Sequence, residues 1–463
     1  MTTRVATFRW GSVASFCICI FVAAFLLSCG FSPNGGPAPT VCSVYEGITA
    51  IPLTGQSSRT IFETAGTVIA IHGSGGATLN PGNPTGAIKV EQSVPIPPYV
   101  DRATVILNGW RLDYVGGDHS VLALGSAITD IRVDPKLHRV TWNALGLIRD
   151  NGGDKGYDWS YQFTVVAWND ANLNAFVDEG DFGLRNPNCA QTNGQLPDNY
   201  FYASNTGTTS SLSSFFSFLQ NSIFAASKVV AILPRGFGFL WNDSDHNLFQ
   251  MAYNMGHSEI LAQNGLKYNK REQQVLAPVP NPPASHVDSG FVSWSPQAIL
   301  ADNDTRRDYT FAELVSGLGG NDVGIIQPPF SILPDNPDVP TLGIFSSCGG
   351  QSGSASASTA KFVIENIPYQ FAIPVLAGWN VAYACNDRHV RRAGVWIDDW
   401  DYQPPSGGSG GTLSYTVSSV LTDDNATLSN ASQNVAVLGL RPVALGSDVK
   451  GSKPTGPKTI KKS

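Results

Sequence analysis

The chain has 463 residues and a formal net charge of −7, with only 14% charged residues against about one quarter in an average globular protein. Its 47 Gly and 30 Pro exclude a coiled coil or long helical array, and its 42% hydrophobic residues, with 23 Phe, 14 Tyr and 10 Trp, exclude a disordered chain. An acidic balance of this kind also argues against nucleic acid as a partner, and the length predicts about three domains.

Residues 1–28 carry Arg4 and Arg9 ahead of a mainly apolar run from Trp10 to Leu27, the layout of an export signal. The run closes on Leu26-Leu27-Ser28-Cys29-Gly30, which resembles the lipobox of bacterial lipoproteins. The resemblance implies that Cys29 is lipidated, becomes the mature N-terminus and holds the chain on the membrane. Gly30 after the cysteine implies the outer membrane in a Gram-negative cell. Several acyl chains make such an anchor stable, since each buried methylene contributes about 0.8 kcal/mol. Residues 29–43 read as a tether. Cys42, Cys189, Cys348 and Cys385 form an even set in an exported chain and allow three disulfide connectivities. Cys42–Cys189 with Cys348–Cys385 keeps each bridge within or beside one domain.

One strand pattern then occurs three times. Gly109-Trp110-Arg111-Leu112-Asp113-Tyr114 leads to Asp118-His119; Gly236-Phe237-Gly238-Phe239-Leu240-Trp241 leads to Asp245-His246; Gly378-Trp379-Asn380-Val381-Ala382-Tyr383 leads to Asp387-Arg388-His389. Each glycine follows an apolar stretch, so the frame predicts a domain-sized internal repeat. Closing strands are predicted at Tyr157 to Val165, Gly290 to Asp304 and Gly411 to Asn425, with Pro296 placing the second at a sheet edge.

Period-two alternation without βα alternation predicts an all-β chain of three tandem antiparallel β-sandwich domains: 44–196, 197–335 with a helical insertion, and 336–447. The aromatic stripes of the opening strands are expected to fill three separate cores. Helical spacing at Leu212, Phe215, Phe216, Leu219 and Ile223 predicts a helix over 211–226, and Thr310 with Glu313 predicts a capping box and short helix through Leu318. Flexible joints are expected at 31–40, 327–340, 349–359 and 406–411. Residues 448–463, with five Lys and one Asp, read as a disordered basic tail.

Three segments carry candidate chemistry. Asp170, Asn172, Asn174, Asp178 and Asp181 place oxygens at positions one, three, five, nine and twelve of a loop that resembles an EF-hand-type calcium site. Ala175 stands at the family's glycine position and Asp181 at its glutamate, so an ordinary polar turn competes with Ca²⁺. Asp118, His119, Asp245, His246, Asp387 and His389 could seal turns, bind metal or act as bases, and the turn-sealing reading needs the fewest assumptions. Val68 through Gly76, ending His72-Gly73-Ser74-Gly75-Gly76, resembles the oxyanion-hole segment of α/β-hydrolases. Its nearest nucleophile phrase, Gly256-His257-Ser258-Glu259-Ile260, lacks the closing glycine, so a glycine-rich loop between strands is expected instead. The composite expectation is a lipid-anchored surface module that binds a glycan or another surface protein without catalysis. The alternative is an exported hydrolase with its site on the Asp/His loops.

Overall fold

The structure is a computed structural model of the 463-residue chain. It describes residues 48, 50–64, 67–83, 86–169, 173–177, 200–203, 213–214, 217–220, 230–255, 259–260, 267–269, 274–276, 291–294, 297–302, 309–320, 323–326, 358–383, 387–425 and 429–442. These residues form β-structure with no helix among them.

Grouped by sheet position, the first copy holds β1 (Gly55–Thr64), β2 (Val68–Leu79), β3 (Ala87–Pro95), β4 (Arg102–Tyr114), β5 (Ala123–Asp134), β6 (Arg139–Arg149) and β7 (Tyr157–Trp168). The second holds β8 (Leu173–Val177), β9 (Tyr200–Ala203), β10 (Ser213–Ser214), β11 (Ser217–Gln220), β12 (Val230–Trp241) and β13 (Gln250–Asn254). It continues through β14 (Glu259–Ile260), β15 (Lys267–Asn269), β16 (Gln274–Leu276), β17 (Phe291–Trp294), β18 (Gln297–Ala301) and β19 (Tyr309–Gly320). The third holds β20 (Val323–Ile326), β21 (Ser358–Ile367), β22 (Tyr369–Tyr383), β23 (Arg392–Gln403), β24 (Gly411–Thr422) and β25 (Ser429–Pro442).

Three large antiparallel sheets result. The first runs β1-β2-β7-β4-β23-β24-β21, the second β3-β6-β5-β12-β19-β8, and the third β10-β18-β13-β22-β25-β20. Within the first copy, β2-β7-β4 faces β3-β6-β5 as a sandwich. Trp142 of β6 donates to the Tyr161 hydroxyl of β7 at 3.1 Å, and Trp159 of β7 donates to Ser126 of β5 at 3.3 Å. Each half-sheet then continues into the next copy through the seams β4–β23, β12–β5 and β22–β13. The three seams are equivalent, so the copies circle a pseudo-threefold axis.

The repeat glycines sit on these seams. A Cβ at Gly109 would stand 2.6 Å from the Trp396 Cβ, at Gly236 2.5 Å from the Ala127 Cβ, and at Gly378 2.8 Å from the Asn254 Oδ1. One residue before each glycine, at Asn108, Arg235 and Ala377, the ladder shifts register, which increases local twist. The residue after each glycine points to the axis. Trp110, Phe237 and Trp379 form a triangle with ring centroids 5.0, 5.1 and 5.0 Å apart. Leu112, Phe239 and Val381, then Tyr114, Trp241 and Tyr383, are also buried, and one core cluster includes residues of all three copies. The stripes therefore meet in one core instead of filling three.

Several local expectations are corrected. Residues 310–318 lie in β19, paired with β12 along its length, because Thr310 bonds Asn242 at 2.9 Å and buried Glu313 accepts from the Tyr253 hydroxyl at 2.5 Å. Neither side chain caps a helix. Within 211–226 the described residues are strands β10 and β11, held by β18 and β17; Leu212, Phe215, Phe216 and Ile223 lie outside the described residues. β18 is flanked by β10 and β13 and is not at an edge, while Pro296 lies outside the described residues. β18 and β24 correspond in sheet position to β6, and the counterparts of β7 are β19 and β25. Within the 406–411 tract, residues 406–409 form a tight turn, with Ser409 N donating to Ser406 O at 3.0 Å and Gly407 and Gly408 at positive φ, and Gly411 opens β24. The glycines after His72 lie inside β2 rather than in a loop. Gly73 and Gly75 leave room for the rings of Phe163 and Tyr161, which occupy the space a Cβ would need.

Candidate functional site

At one end of the axis, the chain after each opening strand makes a ring of three reciprocal backbone bridges. His119 pairs with Val390, His246 with Val121, and Arg388 with Leu248. The equivalent of His119 and His246 is thus Arg388, ten residues after its glycine, and not His389. Each of these three side chains meets an aspartate that immediately follows a strand of its own copy. His119 Nδ1 lies 3.9 Å from Asp150, His246 Nδ1 lies 2.8 Å from Asp302, and Arg388 donates to Asp423 at 3.0 Å. All three carboxylates are buried. His246 Nε2 also contacts Asp243 at 3.0 Å. Burial alone would lower the His246 pKa, but Asp243 and Asp302 outweigh it and raise it to about 10.

The preceding aspartates reach across copies. Asp245 accepts from the Asn151 amide at 2.9 Å, while Asp118 and Asp424 each accept from the other's backbone N–H at 3.2 and 3.3 Å. His389 Nδ1 lies 3.4 Å from Asp118. Asp387 directly precedes the Arg388 bridge. Among the described residues, no group of three or more His, Cys, Asp or Glu is arranged to hold a metal ion. The ring gathers ionic side chains, yet their charges are used within the chain and they tie the three copies together.

The second feature is on the outward face of the first sheet. Register places Ser57, Ser74, Gln162, Gly109 and Trp396 side by side across five strands, and Gly55, Gly76, Ser160, Arg111 and Gly394 in the adjoining row. Missing side chains at the glycines leave a groove of about 500 Å³ over these strands. Its polar wall carries the Ser57 and Ser74 hydroxyls, 2.8 Å apart, and the half-buried Gln162. Trp396 forms the apolar wall, its indole N–H bound to Asp398 and the Arg111 guanidinium carbon 6.0 Å from its ring centroid. The pseudo-symmetry sharpens the contrast. Arg111 and Asp113 are partly exposed here, whereas the corresponding Leu240, Asn380 and Ala382 are buried.

His72 lies beside this groove on β2. Its Nδ1 is 3.1 Å from the Thr164 hydroxyl, and its ring meets Trp400 edge-on at 6.3 Å. Burial, reinforced by Arg59, lowers its pKa to about 4, so the ring is neutral at pH 7. β2 pairs with β1 on one side and β7 on the other, which commits the backbone of Gly73–Gly76 to the ladders. An oxyanion hole needs such N–H groups unpaired.

Asn174 of the calcium-type loop lies in β8, paired with Gly319, while Asp170, Asn172, Asp178 and Asp181 lie outside the described residues. Cys29, Cys42, Cys189, Cys348, Cys385 and Ser258 also lie outside them. Sequence reasoning missed the groove. Its signal was the unusual density of Gly and Ser at outward positions of strands that otherwise bury aromatics. No protein family, curated protein or solved structure matches the chain.

Proposed function

We propose that the chain is an exported, lipid-anchored, non-catalytic binding module whose groove beside Trp396 takes a saccharide. Sugars combine hydroxyl groups with an apolar C–H face. The groove offers Ser57, Ser74, Ser160 and Gln162 for the former and Trp396 for the latter. The observation that carries the reading is the open outward face at Arg111, where the equivalent Gly238 and Asn380 of the other two copies are buried. A hydrolase with its base at these turns needs an imidazole that is neutral near pH 7, whereas Asp243 and Asp302 raise His246 to about 10 and keep it protonated.

The same reading includes an acylated Cys29, attachment to the outer membrane of a Gram-negative cell, and Ca²⁺ in the segment from Asp170 to Asp181. Mass spectrometry of the mature N-terminus decides the anchor. A melting temperature unmoved by millimolar Ca²⁺ removes the calcium part. For the groove, the full chain in detergent is screened on a glycan array. Saturable binding to one saccharide class, competed by the free sugar, supports the reading; an array without signal contradicts it.

A further inference from the structure

A second cleft, of about 580 Å³, opens at the outward face of the second sheet, where β3, β6 and β5 run side by side. Arg132 of β5 and Arg139 of β6 line it, together with Glu91 of β3 and Asp130 of β5. Both guanidinium groups belong to exposed residues, and neither joins an ion pair or side-chain hydrogen bond among the described residues. This differs from the ring at the axis end, where Arg388 is held by Asp423.

Asp130, by contrast, is fixed. It stands at a register shift of the β5–β6 ladder with φ of 52°, a left-handed conformation that Asp tolerates better than most side chains. Its carboxylate accepts from the Asn143 amide at 2.6 Å and the Thr129 hydroxyl at 3.3 Å. The cleft therefore combines a positioned acceptor with two guanidinium groups that make no ion pair or side-chain hydrogen bond among the described residues.

We infer that this cleft is a second binding site, for a carboxylate-bearing saccharide such as a uronic or sialic acid residue. Guanidinium groups match a carboxylate by paired hydrogen bonds. Asp130 and Glu91 accept from sugar hydroxyls, and their charge disfavours ligands that offer only anionic oxygens. A neutral sugar leaves both arginines unused. The inference rests on the reading of the chain as a saccharide binder, but its arginines and carboxylates lie on the second sheet and none of them lines the first groove, with which this cleft shares Gln56.

The test is calorimetry on the full chain in detergent, with oligosaccharides ending in glucuronic, galacturonic or N-acetylneuraminic acid. The controls are the same compounds with the carboxylate reduced to the alcohol. At least one acid form is expected to bind about tenfold or more tighter than its reduced form, and to weaken with added salt. The Arg132→Gln/Arg139→Gln double variant should lose that advantage while keeping its melting temperature, since both side chains are exposed. Trp396→Ala should leave it intact. Equal affinity for acid and reduced forms, unchanged affinity in the double variant, or no binding of any acid probe would overturn the inference. If neutral sugars still bind in a Trp396-dependent way, only this second site falls; if Trp396→Ala removes acid binding too, the acid ligand belongs to the first groove.

Discussion

The indole of Trp110, from the first copy, packs against that of Trp379, from the third, with ring centroids 5.1 Å apart and planes tilted by 54°. Phe237 of the second copy touches both at 5.0 Å. Three segments far apart in the chain thus share one desolvated contact. Neither indole has that environment until all three opening strands are in place.

Removing one member should therefore destabilise the whole β-body. Trp379→Ala is expected to cost about 3–5 kcal/mol, the range for deleting a large buried aromatic. In denaturant titrations the wild type should show one transition by tryptophan fluorescence and by circular dichroism, and the variant one transition at lower denaturant. Three resolved transitions would mean that the copies unfold independently.

Two histidines give stability opposite pH dependences. His246, raised to about 10, contributes stability that is fully present below its unfolded value of 6.5 and is lost as pH climbs from there through 10. His72, lowered to about 4, contributes stability present above 6.5 and lost as pH falls toward 4. With respect to these two groups, stability should peak around neutral pH. His246→Gln should flatten the alkaline side, and His72→Gln the acid side, in melting curves taken across pH.

Asp302→Asn should bring the His246 titration down toward its ordinary range, because it removes one of the two carboxylates that raise it. Histidine NMR titration checks this directly. An unmoved midpoint would show that Asp243 alone sets the charge.

Gly73→Ala should destabilise by about 1–3 kcal/mol through overpacking. The added Cβ would lie 2.2 Å from the Ser57 carbonyl oxygen and 2.5 Å from the Phe163 ring. Gly82→Ala is the informative control: no atom lies within 4 Å of its Cβ, so its cost arises from the positive φ of 89° alone. Thermal melts of the two variants separate crowding from backbone strain.

Much of the fold was legible where the pattern is local. Tyr157 to Val165 alternates in sequence, and in β7 Tyr157, Trp159, Tyr161 and Phe163 are buried while Asp158 and Ser160 are exposed. The Gly-aromatic frames likewise located the three opening strands and their buried stripes. What was not legible depends on partners distant in the chain. The exchange of strands across seams such as β4–β23 has no local signature. Thr310 and Glu313 have capping-box spacing, and only the burial of Glu313 against Tyr253 shows why that spacing is incidental. Glycines in a strand look like a loop until the aromatic rings that cover Gly73 and Gly75 are known. The histidine frame was loose by one residue, which concealed Arg388 as the counterpart of His119 and His246 in the ring.

The saccharide groove is tested most directly by isothermal titration of the best glycan ligand into the wild-type chain and into Trp396→Ala. Trp396 is partly exposed, so its replacement should spare the fold while removing the apolar wall of the groove. The expected result is a loss of affinity of about tenfold or more at an unchanged melting temperature. Equal affinities for the two proteins would contradict it.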